Sequence, residues 1–85
     1  MSRKEIGKYL VIDADICHGQ MTFDGTRVPV DAVLTFLGEG YSVDQLLRSW
    51  PELTRPAIEE AIALASEALK RRYSAVDSLL AAGPA

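Results

Sequence analysis

A single turn block, Gly25-Thr26-Arg27-Val28-Pro29-Val30, divides this chain, and three helices with their own start signals follow it. Pro29 fixes its own φ and pushes Val28 towards an extended conformation, so no helix begins before Val30. From there the spacing turns helical. Val30, Val33, Leu34 and Leu37 fall at i, i+3, i+4 and i+7, with Phe36 beside them. Asp31 suits the positive end of this helix, and Gly38 and Gly40 supply its stop.

Ser42 is the N-cap residue of a second helix, and Gln45 three positions later completes a capping box. Tyr41 and Leu46 are spaced as a hydrophobic staple across that cap. Leu46, Leu47 and Trp50 give the buried face, and Pro51 ends the helix by keeping Trp50 out of αR geometry. The third helix repeats the logic: Thr54 caps it, Pro56 is tolerated in its first turn, and Leu53 can staple onto Ile58. Ile58, Ala61, Ile62, Ala65 and Leu69 form an apolar stripe of helical period. Glu59 and Glu60 lie near its start and Lys70, Arg71 and Arg72 near its end, which complements the dipole, and Glu67 with Arg71 adds an i, i+4 pair.

Ahead of the turn block, Tyr9-Leu10-Val11-Ile12 is aromatic and β-branched and favours a strand. Asp13-Ala14-Asp15 reads as a turn, and Met21-Thr22-Phe23 as a second short strand ending at Asp24-Gly25. The expected fold is mainly α: three helices behind a short β-hairpin at residues 9–23. Residues 1–8 form an N-terminal arm, 9–72 the domain and 73–85 a C-terminal tail.

At 85 residues the chain is one small domain. Such a domain buries about 60–65% of its unfolded surface, so stability is modest and dimerisation often adds to it. The lone cysteine, Cys17, rules out an intramolecular disulfide framework and fits a reducing cytoplasm. No apolar run approaches the ~18 residues of a membrane span, and the N-terminus leads into no signal-peptide core. A cytoplasmic protein away from membranes is expected. The net charge of −3 and pI near 5.0 argue against strong autonomous nucleic-acid binding.

No catalytic or metal constellation competes with a binding role. Cys17-His18 is too small a set for zinc, which takes about four ligands, and no other Cys or His exists in the chain. The adjacent His18 is poorly directed to activate a cysteine nucleophile, so a buried small hydrophobe beside a surface histidine is expected. Asp13 and Asp15 offer two oxygens where calcium takes about 6–8. The residues for an enzyme or a cofactor site are therefore not evident.

Four blocks together carry a family resemblance: Asp15-Ile16-Cys17-His18-Gly19, the Gly25–Val30 block, Gly40-Tyr41-Ser42, and Trp50-Pro51-Glu52-Leu53-Thr54. Over residues 9–69 the chain resembles the bacterial domain-of-unknown-function family 433, often described as VapB-type antitoxin-like. The resemblance implies a homeodomain-like helix-turn-helix. It also implies the antitoxin half of a toxin–antitoxin pair, whose partner is commonly a PIN-type ribonuclease. Gln20-Met21-Thr22-Phe23-Asp24 departs from the family's pattern, with Asp24 standing where a basic residue is usual.

In such a fold the third helix enters the major groove by its N-terminal residues. That mapping places Thr54, Arg55 and Glu59 at base edges and Arg48 near the phosphates, with possible operator binding. The structural alternative makes Thr54 a cap, Arg55 a solvated residue and Glu59 a partner of the dipole. Arg27 could reach a phosphate or a partner's carboxylate, or bond nearby carbonyls within its own turn. In the tail, Tyr73, Val76, Leu79 and Leu80 could dock on a partner, fold back on the hairpin, or pair with a second subunit. The leading expectation is an antitoxin that binds a toxin protein and works as a homodimer; the alternative is a protein–protein adaptor with no nucleic-acid role.

Overall fold

The computed structural model describes residues 3–73. The chain begins with a three-stranded antiparallel meander, β1 (Arg3–Ile6), β2 (Leu10–Asp13) and β3 (Met21–Phe23), in the order β1-β2-β3. Leu10 pairs with Phe23 and Ile12 with Met21, so the hairpin read from the sequence is present. Residues 3–6, assigned to an arm, instead add a third strand, with Ile6 opposite Leu10 and Lys4 opposite Ile12.

Side chains alternate across a sheet, so Leu10 and Phe23 share the face towards the helices while Val11 and Thr22 share the other. Both faces are closed: all four residues are buried. On the second side the turn at Cys17–Gly19 packs against β2, and Thr22 bridges to Pro29 along the open edge of β3. Thr22 is fully buried, yet its hydroxyl has no hydrogen-bond partner among the described residues. An unpaired buried hydroxyl costs more than a methyl of the same shape. Thr22→Val is therefore expected to stabilise the domain by about 1 kcal/mol, raising the melting temperature by roughly 4–8 °C. A melting curve that moves down instead would show that the hydroxyl is satisfied.

Three helices follow: α1 (Val30–Gly38), α2 (Val43–Ser49) and α3 (Arg55–Arg72). Their starts are as the local chemistry dictates. Pro29 precedes α1 in extended geometry. The Ser42–Gln45 capping box of α2 is complete, with Gln45 N–H donating to Ser42 Oγ at 3.1 Å and Ser42 N–H to Gln45 Oε1 at 2.7 Å. Ala57 N–H donates to the Thr54 hydroxyl at the head of α3. Trp50, held ahead of Pro51, leaves helical geometry and closes α2.

The core gathers Leu10 and Phe23 from the sheet, Val30 and Val33 from α1, Leu46 from α2, and Ala57, Ile58 and Ala61 from α3, with Val28 and Leu53 from the connecting segments. The α3 stripe departs from expectation. Ile58 and Ala61 are buried, but Ile62 is 39% and Leu69 60% exposed, and Leu64 packs on the core in their place. The apolar arc of α3 is wider than the domain covers. No helix among the described residues is long and apolar enough to cross a membrane.

Candidate functional site

The Gly25–Val30 block is a turn closed by its threonine. Thr26 donates its hydroxyl to the Phe23 carbonyl at 2.8 Å and accepts the Val28 N–H at 3.0 Å, while Phe23 N–H donates to the Val28 carbonyl. Arg27 contributes through its backbone: its carbonyl accepts the Cys17 thiol at 3.4 Å. The expectation that the Arg27 side chain bonds local carbonyls is not met. Its guanidinium makes no hydrogen bond or ion pair among the described residues, and the residue is exposed. Cys17 is half-buried rather than buried, and it and His18 both take left-handed backbone geometry, at φ 49° and 58°.

Of the residues mapped to a DNA groove, Arg55 and Thr54 are engaged within the domain and the others have no side-chain partner among the described residues. Arg55 at the first turn of α3 is paired with Asp44 of α2. Thr54 spends its hydroxyl on the helix cap. Glu59 is exposed one turn further on, and Arg48 is exposed on α2 without a partner among the described residues. Arg27 belongs to the turn beside the sheet rather than to the α2–α3 unit. Beside Asp24 stands the cation of Arg3. Its guanidinium donates to Asp24 at 2.9 Å, with Asp13 at 3.6 Å and Glu5 at 3.8 Å. The hydrogen bond to Asp24 raises the Arg3 pKa above its ordinary value.

Glu60 has a role that sequence reasoning missed. Its carboxylate accepts the backbone N–H groups of Lys8 at 2.8 Å and Tyr9 at 2.7 Å, tying α3 to the β1–β2 turn. Gly7 makes room for that tether: its φ is +68°, and a methyl group there would stand 2.6 Å from Glu60 Oε2. The glycine before a lysine in a short turn was the only local signal, and nothing nearby in the sequence points to residue 60.

Among the described residues, two apolar hollows stand out beside the helices. Phe36, Tyr41 and Trp50 form an aromatic notch where α1 meets α2, with ring centroids 5.1 and 5.7 Å from Phe36. The larger is a groove of about 350 Å³ between the sheet, α1 and α3. Ile6, Leu10 and Met21 form its floor, Leu34 one wall, and Leu64 and Ala68 the other. At the end of that wall a further open hollow is lined by Ala68, Arg71 and Arg72, so the groove leads to a basic rim. Of the tail residues expected to bind a partner, Tyr73 ends α3 at 45% exposure, and Val76, Leu79 and Leu80 lie outside the described residues.

The family described as protein of unknown function (DUF433) matches residues 10–65, which run from the first residue of β2 into the second half of α3. No curated protein and no solved structure matches the chain.

Proposed function

The chain belongs to the DUF433 family, and we propose that it is a partner-binding regulatory domain, the antitoxin half of a toxin–antitoxin pair. The observation that carries this reading is the apolar groove between the sheet, α1 and α3, open on one side and ending at Arg71 and Arg72. A groove of this shape accepts the apolar face of an amphipathic segment. The basic rim favours one whose apolar face is followed by carboxylates. In the pair implied by the family resemblance, the protein that presents this segment is a PIN-type ribonuclease. The domain then acts by occupying that protein, not by catalysing a reaction.

Operator binding through a homeodomain-like α2–α3 unit is the second reading. It is favoured by Arg48, whose guanidinium group on α2 is uncommitted among the described residues. Against it stand the pairing of Arg55 with Asp44 and the exposed carboxylate of Glu59. DNA binding is expected to be weak, to depend on oligomerisation, and to fall with salt in proportion to the few phosphate contacts each subunit makes. If Arg55 reads a base, Arg55→Ala weakens operator binding by about 1–3 kcal/mol. If operator affinity is unchanged, the groove placement of α3 on DNA is wrong. The adaptor alternative shares the protein-binding groove and differs only in having no nuclease partner, so the product of the neighbouring gene decides between them.

A further inference from the structure

The outer face of α3 adjoins the groove, sharing Ala65 with its lining, and carries its own line of apolar side chains. Ile62, Leu69 and Tyr73 are 39%, 60% and 45% exposed, and they fall at i, i+7 and i+11 along one side of an 18-residue helix. Between the first two stand Ala65 and Ser66, small enough for another helix to approach closely.

Apart from Arg55 and Glu67, which are ion-paired with Asp44 and Arg71, the charges on α3 are divided along its length: Glu59 and Glu60 stand in its first half, and Lys70, Arg71 and Arg72 in its last turn. We infer that this face pairs with the same face of a second copy, the two α3 helices running antiparallel about a two-fold axis at Ala65 and Ser66.

That register is self-complementary. Ile62 of each copy meets Leu69 of the other, and the small residues meet at the axis. Glu59, which flanks the stripe, lies on the same side of the seam as Lys70 of the other copy and about 3 Å from it along the helix axis, within reach of both side chains. The two macrodipoles oppose, which is favourable where a parallel pair is not. An isologous contact of this kind closes after two subunits, because each patch is used once. The pairing goes beyond the groove assigned to a partner protein; Ala65 borders both, while Ile62, Leu69 and Tyr73 lie outside the groove lining, so a change at Leu69 tests the pairing separately.

Sedimentation equilibrium on the full chain tests the pairing. The wild type is expected to be a reversible dimer at micromolar concentration. Leu69→Glu is expected to weaken the dimer by roughly a hundredfold, because the substitution occurs twice in one seam. Since Leu69 is exposed, the circular-dichroism melt of the monomer should be unchanged. Glu59→Lys and Lys70→Glu are each expected to weaken association by about tenfold, and the double reversal to restore it. A protein that stays monomeric across a roughly hundredfold concentration range overturns the pairing. So does a dimer indifferent to Leu69→Glu, or one whose charge reversals do not rescue each other.

Discussion

Phe23→Ala is expected to cost about 3–5 kcal/mol and to leave the domain barely folded at room temperature. The ring is 1% exposed, stands opposite Leu10 in the sheet, and belongs to the core cluster that draws on all three helices. Removing it opens a cavity at the point where sheet and helices join. A domain of this size holds on the order of 5–10 kcal/mol in total, so little stability is left. Urea unfolding should show a much lower midpoint with an unchanged slope. The melting temperature should fall by roughly 15–30 °C. A loss below about 1 kcal/mol would mean that the ring does not join the two layers.

The second large effect is expected at the Glu60 tether. Glu60→Ala leaves the Lys8 and Tyr9 N–H groups without their acceptor. Hydrogen bonds to a charged group contribute about 1.5–3 kcal/mol each, but Lys8 N–H reaches water, so a net loss of about 2–3 kcal/mol is expected. Gly7→Ala should cost about 1–2 kcal/mol, because alanine resists the left-handed geometry and its methyl displaces the carboxylate. The two are coupled. With Glu60 already removed, the methyl displaces nothing, so the double variant should be less unstable than the sum by about 1 kcal/mol. Additive losses would show that Gly7 is constrained by its backbone alone.

These two positions also mark the boundary of what the sequence makes legible. The helix starts at Ser42 and Thr54 were readable because a cap and its amide lie three residues apart, and local chemistry decides them. Strand β3 was readable because an apolar triplet ends at Asp24-Gly25. Strand β1 was not: Arg3-Lys4-Glu5-Ile6 is charged and carries one apolar residue, as an edge strand does, and its pairing is set by β2 rather than by its own composition. The α3 stripe was misread for a different reason. Its apolar residues span so wide an arc that periodicity alone cannot say which side the core takes, and the core takes Leu64 while Ile62 and Leu69 stay outside.

The candidate site divides in the same way. Glu60 bonds amides about fifty positions away, and Arg55 is answered by Asp44 from the preceding helix, so their roles appear only when the chain is folded. The groove is assembled from β1, β2, β3, α1 and α3, and no segment of the sequence contains it. Its floor includes Ile6, from the strand read as an arm.

The most direct test of the groove as the partner site is a calorimetric titration of this protein with the purified product of the neighbouring gene, repeated with Ala68→Arg. Ala68 is exposed on α3 and lines the groove wall, so arginine there fills the groove without entering the core. The expected result is saturable binding at micromolar affinity or tighter, weakened by about tenfold or more in Ala68→Arg while its melting temperature is unchanged. Binding of equal strength in the variant, or no binding by the wild type, would contradict the account.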